Sequence, residues 1–127
     1  MHQVFRGEGW LFDRQSGMTK FEITMEVVLW PEYRLTGRIF NETPLFNRNG
    51  RVPDADIRGF VRDSQFIFSK LYDGVKHNSI IYTMEMERSA SPRMLAGSVR
   101  VMHNPFFDRN CDQLHLSDNG ICRIILN

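Results

Sequence analysis

Residues 20–30 read KFEITMEVVLW, and their alternation constrains the fold more than anything else in the chain. Phe21, Ile23, Met25, Val27 and Leu29 fall on one side, with Glu22, Thr24 and Glu26 on the other. A period of two is the signature of a strand with one buried and one wet face. RLTGRIF, DIRGFVR, QFIFSKLY, SIIYTMEMER, MLAGSVRVM and ICRIIL repeat the pattern, and an earlier strand holds Trp10 and Phe12. Gly, Pro, Asn, Asp and Ser dominate the intervening segments, as turns require. No segment carries a helical stripe, apart from room for a short helix within 103–119. Eight strands joined mostly by hairpin-length links predict an all-β fold. The expected form is an eight-stranded antiparallel up-and-down (meander) barrel, since closure removes the exposed edges.

The chain has 127 residues, the size of one domain, so 1–127 is expected to be a single β-barrel domain. A net charge of +1 argues against a nucleic-acid partner, which a strongly basic chain would suggest. No apolar run is long enough for a spanning helix, and the first residues, MHQVFRGEGW, lack the apolar stretch of an export signal. A cytoplasmic protein with no membrane partner is the expectation. Cys111 and Cys122 are then expected as free thiols.

Register sharpens the reading. A two-residue turn at Asp63-Ser64 sets Val61 against Phe66, Gly59 against Phe68 and Ile57 against Lys70. A three-residue loop at 31–33 sets Glu26 against Arg38 and Met25 against Ile39. Pairing Tyr72 with Ile80 brings Lys70 beside Tyr82 and Phe68 beside Met84. Across 88–93, Met84 then meets Gly97 and Tyr82 meets Val99. The resulting interior is Phe21, Ile23, Met25, Val27, Leu29, Leu35, Ile39, Ile57, Val61, Phe66, Phe68, Met84, Met86, Leu95, Val99 and Val101, joined by Cys122, Ile124 and Leu126. Gly37, Gly59 and Gly97 share that face, as suits a strongly coiled wall.

The polar side chains on this face are Lys70, Tyr72 and Tyr82, with Asn41 at a strand end. They gather at the end carrying the loops around 13–19, 42–54, 73–78 and 103–119, where binding sites of barrels tend to sit. The expected ligand is small, apolar or amphipathic, with an anionic or carbonyl head. Lys70, Tyr72 and Tyr82 would hold the head, with Phe68 and Trp10 beside its apolar body. A bare ammonium among rings would lose its hydration, so Lys70 must find an anion, titrate, or reach water along its stem.

The run Ile57-x-Gly59, Phe68-x-Lys70-x-Tyr72, Ile81-Tyr82 and Leu95-x-Gly97 resembles calycin-like barrels, the superfamily of lipocalins, fatty-acid-binding proteins and avidins. The resemblance covers the chain from about residue 20 onward as a pattern. It implies an eight-stranded up-and-down barrel with a small-molecule pocket. Only Trp10 and Trp30 are present, so the tryptophan set of avidins, and with it biotin, is not implied.

On the outer side, Arg34, Arg38, Arg58 and Arg62 interleave with Thr36, Phe40 and Phe60, and Arg48 and Arg51 lie between. Such a face can hold a protein partner or a second copy of the chain, which makes a protein-interaction module with a filled interior the alternative function. As a plain solvated face it would pair Glu22 and Glu26 with Arg34 and Arg38. His103, Asp108, Cys111 and His115 match no zinc spacing, so no metal is expected. Asn49-Gly50 and Asn119-Gly120 are turn signals, and His2 and His77 are expected outside. No inward carboxylate pair and no Ser/His or Cys/His pairing is legible. No catalytic residue or cofactor is assigned, and an enzyme is not expected.

Overall fold

A computed structural model describes residues 2–13, 17–43, 52–74, 79–87, 93–102 and 120–127. They form β1 (His2–Asp13), β2 (Gly17–Val28), β3 (Arg34–Phe40), β4 (Ala55–Arg62), β5 (Gln65–Tyr72), β6 (Ser79–Glu87), β7 (Met94–Met102) and β8 (Gly120–Leu126). Each strand pairs antiparallel with the next, and β8 closes on β1, giving an eight-stranded meander barrel consistent with a calycin-like fold. No helix occurs among the described residues. The expected all-β closed meander is therefore the observed architecture.

Side-chain alternation produces the closure. Phe21, Ile23, Met25 and Val27 are almost fully buried on β2, while Glu26 between them is exposed. Ile57 and Val61 on β4, Phe66 and Phe68 on β5, and Leu95 and Val99 on β7 repeat this. Leu29 and Met86 pack against the core from its margin. With apolar residues within and charged ones without, the wall is the reverse of a lipid-spanning barrel.

The turn at Asp63-Ser64 has two residues, with Arg62 facing Gln65 and Asp63 at φ 56°, in the left-handed region such hairpin turns use. Its register is as expected: Ile57 faces Lys70, Gly59 faces Phe68 and Val61 faces Phe66. So is that of β6 on β7, where Met84 meets Gly97 and Tyr82 meets Val99.

Two other registers differ from the expectation, each by two residues. Met25 faces Gly37, not Ile39, because the β2–β3 connection is longer than three residues. Val28 pairs with Arg34, and the Leu29 carbonyl accepts from the amides of both Glu32 and Tyr33, each at 3.1 Å. Likewise Lys70 faces Ile80, and Phe68 faces Tyr82. A slip of two leaves every side chain on its face, so the interior survives both corrections.

β1 is the larger correction. Its inner residues are Phe5, Gly7, Gly9 and Leu11, whereas Trp10 is half-buried on the outer wall and Phe12 is exposed. The Phe21 ring occupies the space that a side chain at position 9 would need, which explains a glycine inside and the aromatics outside. Ala55 and Ile80 also join the core. The side chain of Val101, and the expectations for Arg48, Asn49-Gly50, Arg51, His77, His103, Asp108, Cys111, His115, Asn119 and a helix within 103–119, lie outside the described residues.

Gly59 marks a tight bend of the wall. A Cβ there would overlap the Ile67 carbonyl oxygen on β5, and one at Gly97 would overlap that of Thr83 on β6. Both positions oppose a large inner side chain, Phe68 and Met84. Gly59→Ala is expected to destabilise the barrel by about 1–3 kcal/mol, since backbone cannot yield as a side-chain tip can. Urea unfolding of the variant measures it; an unchanged midpoint would contradict this account of the bend.

Candidate functional site: a buried lysine, glutamate and tyrosine beneath one mouth

The meander sends the β1–β2, β3–β4, β5–β6 and β7–β8 connections to one end of the barrel. Lys70 and Tyr72, the last inner residues of β5, stand just below that end. Lys70 has no solvent exposure. A cation so placed needs a counter-charge, and Glu42 supplies it.

Glu42 enters through an irregularity. Alternation along β3 would turn Asn41 inward, after Leu35, Gly37 and Ile39. Asn41 instead has φ 52°, in the left-handed region that asparagine tolerates better than most residues. The break in alternation puts Asn41 outside, where its amide donates to the Glu22 carboxylate, and turns Glu42 in. Beyond it the chain stays tied to β2. The Thr43 amide donates to the Lys20 carbonyl, and the Lys20 amide donates to Thr43 Oγ1, both at 2.9 Å. Glu42 is thereby held over the lysine, its side chain only 3% exposed.

The three groups form a closed ring of hydrogen bonds. Lys70 Nζ donates to Glu42 Oε1 and to Tyr72 Oη, each at 2.8 Å. Tyr72 Oη donates in turn to Glu42 Oε2. Nζ also lies 4.5 Å from the centre of the Tyr72 ring and 5.3 Å from that of Tyr82. The Tyr82 ring stacks on Phe68, with centroids 4.9 Å apart. Cys122, a buried free thiol, belongs to the same core.

Burial alone would pull the Lys70 pKa down. The negative charges that Tyr72, Tyr82 and Glu42 can carry, with the hydrogen bond to Glu42, override it and raise the pKa well above the usual lysine range. Burial pushes both phenols above their ordinary value, so they stay neutral near pH 7. Burial also pushes the Cys122 thiol up to about 12. The pair that faces these rings is the Lys70–Glu42 salt bridge.

Two hydroxyls are left over. Tyr82 Oη is fully buried and has no hydrogen-bond partner among the described residues, and the same is true of Thr19 Oγ1 on the inner face of β2. Among the described residues Lys70 directs two of its three N–H bonds, to Glu42 and Tyr72, which leaves a third donor.

Of the residues expected at a ligand site, Lys70, Tyr72, Tyr82 and Phe68 come together inside, whereas Trp10 is on the outer wall. Glu42 was missed. The signal for it was the need of a buried lysine for an anion, combined with an asparagine at the strand end able to reverse alternation.

The outer arginines separate. Arg38, expected opposite Glu26, faces Thr24 and Asp56. Its guanidinium binds Asp73 bidentately at 2.7 and 3.0 Å and Asp56 at 2.7 Å, with Asp54 at 3.9 Å. The Asp73 and Asp56 hydrogen bonds raise its pKa further, and that of Asp73 falls, chiefly through the same bond. Arg38 thus clasps the approaches to β4 and the end of β5. Arg34 pairs with Glu32 at 3.3 Å, while Glu26 pairs with the exposed His2 at 2.6 Å. Arg58, Phe60 and Arg62 remain exposed. Arg34 and Arg58 flank a groove of about 520 Å³ that also touches Thr36 and Asp56.

Fold and site together define a class: a closed antiparallel barrel with a neutralised cation buried beneath the end that has the longer connections. The chain matches no known family profile, no curated protein and no solved structure.

Removing one member of the pair leaves the other charged and buried. Lys70→Met and Glu42→Leu should each cost about 3–5 kcal/mol, while the double variant should recover most of that loss. A chemical-denaturation cycle checks this, and additive losses would mean that the two do not interact. Alkali should also weaken the barrel. Lys70, Tyr72, Tyr82 and Cys122 all have folded pKa values above their ordinary 10.5, 10.0, 10.0 and 9.0. As pH rises through those ordinary values the unfolded chain releases protons that the folded chain keeps. Stability is retained below about pH 9 and falls above it. Urea midpoints that stay flat up to about pH 11 would contradict these shifts.

Proposed function

We propose that the protein is a small-molecule carrier whose barrel holds a partly apolar ligand, with the ligand's head beneath the Lys70 mouth. The observation that carries this reading is the Tyr82 hydroxyl, buried without a partner among the described residues, on a ring whose centre lies 5.3 Å from the ammonium. An unmet donor of that kind costs about 1–3 kcal/mol, which a ligand oxygen would relieve. The likeness to calycin-like barrels, many of which hold small ligands, supports the same reading.

The charge balance selects the head group. Glu42 already neutralises Lys70, so a carboxylate ligand would bring a second, uncompensated anion into an apolar wall. A neutral oxygen acceptor, such as a ketone, aldehyde, amide or ester carbonyl, adds no charge. It could accept from Tyr82 Oη and the remaining Lys70 N–H. Of the two head groups the sequence suggests, anionic and carbonyl, the carbonyl is the one we retain.

A second reading has its own observation: the groove between Arg34 and Arg58 beside exposed Phe60, which suits an acidic segment of a protein partner or a second copy of the chain. Arg62 extends that face, whereas Arg38 is already engaged. Under this reading Arg58→Glu abolishes association at unchanged thermal stability, with the interior left as packed core.

Displacement of a polarity-sensitive fluorophore by apolar methyl ketones, primary amides and carboxylates of matched length tests the carrier reading. Ketones and amides should compete and carboxylates should not. Tyr82→Phe should weaken ketone binding about 2- to 10-fold, the worth of one hydrogen bond. Failure of every compound to compete, or tighter binding of the carboxylates, would overturn it.

A further inference from the structure

The outer wall at the Lys70 end carries a row of apolar side chains assembled from distant parts of the sequence. Met18 on β2 pairs with Phe12 on β1, which pairs with Ile121 on β8. All three point outward, with exposures of 66%, 52% and 62%. Neighbouring strands lie about 4.8 Å apart, so the three side chains form one continuous ridge about 10 Å wide.

The next outward row lies two residues further from the mouth, or about 7 Å along the strands. It consists of Lys20 on β2, Trp10 on β1 and Arg123 on β8, again directly paired. Lys20 and Arg123 are exposed and Trp10 is half-buried. Lys20 Nζ sits 5.7 Å from the Trp10 ring centre, so the cation and the indole act as one amphipathic unit. Behind them Glu8 and Glu22 face each other across β1 and β2, with Glu8 Oε2 4.0 Å from Lys20 Nζ.

On this face an apolar row, then a cation–indole–cation row, then carboxylates follow the order of chemistries met on leaving a bilayer. Hydrocarbon comes first, then the headgroup layer where Trp, Lys and Arg are favoured, then water. The spacing of about 7 Å between the first two rows is comparable to the depth of one headgroup layer, about 5–7 Å. We propose that this face docks on a phospholipid surface containing anionic lipid, with Phe12, Met18 and Ile121 inserted among the acyl chains and Lys20 and Arg123 at the phosphates. The expectation of no membrane partner rested on the lack of a spanning segment. It did not register a ridge whose members stand at positions 12, 18 and 121. The inference is independent of the carrier reading, since it concerns the outer wall alone.

Co-sedimentation with vesicles tests it. The protein should bind vesicles of phosphatidylcholine mixed with phosphatidylserine more strongly than vesicles of phosphatidylcholine alone, and added salt should weaken the binding. Each cation at an anionic surface is worth about fivefold in partitioning. Lys20→Gln with Arg123→Gln should therefore lose about twenty-five-fold. Phe12→Ser with Met18→Ser and Ile121→Ser should abolish binding to both vesicle types. In a Trp30→Phe background, Trp10 is the only remaining tryptophan, and its emission should shift to the blue on binding. The proposal is overturned if the unaltered protein stays in the supernatant at low salt, or if the triple serine variant sediments as the unaltered protein does. It is also overturned if that variant changes the mass of the protein free in solution, since the ridge would then be a contact between copies.

Discussion

A lysine ammonium sealed inside an apolar wall dictates much of what surrounds it. Lys70 cannot be hydrated where it sits, so a carboxylate has to be brought to it. β3 does this by breaking its own alternation at Asn41, after which Glu42 is fixed by the continued pairing of Thr43 with Lys20. The phenol of Tyr72 completes the ring. Its hydroxyl accepts from the cation and donates to the anion, so the three groups close on one another. The start of the β3–β4 connection is thus fastened to the barrel by a charge interaction within, while Arg38 fastens that connection's far end to β5 from without.

The opposite end is built differently. There Phe5 and Phe66 meet edge to face, and Arg93 lies over the Phe5 ring at 5.3 Å. A depression of about 220 Å³ between them is lined largely by apolar residues of the core's edge, with Gln3, Asp63, Ser64 and Arg93 around it. Aromatic packing closes this end, and its described turn at Asp63-Ser64 is short. The buried ion pair, the Tyr82 and Thr19 hydroxyls without partners among the described residues, and the ridge of Phe12, Met18 and Ile121 lie toward the other end.

Much of this arrangement is legible in the sequence because a strand has only two faces. The registers between β2 and β3 and between β5 and β6 are each two residues from expectation, yet Met25, Lys70 and Tyr82 still face inward, since an even slip does not turn a side chain over. What failed were features that period-two reading cannot resolve. On β1 the inner face holds Gly7 and Gly9, so the heavier aromatics, Trp10 and Phe12, drew attention to the wrong side. The missing neighbour was Phe21, whose ring fills the place of the absent side chain across the β1–β2 pair. Glu42 failed for the opposite reason: one left-handed residue, Asn41, reversed the parity beyond it.

The energetic standing of the Lys70–Glu42 pair bears on why it is there. Replacing a buried ion pair with well-packed apolar residues is often neutral or stabilising, so stability alone is a weak reason to bury one. Methionine at position 70 and leucine at position 42 would suit an interior already made of Phe21, Met25, Ile57 and Met84. A barrel intended only to fold could have used them. What those residues could not provide is an ammonium donor fixed by Glu42 and Tyr72 and set 5.3 Å from the centre of the Tyr82 ring. The preorganised polar spot, more than the strength of the pair, is what the break at Asn41 secures.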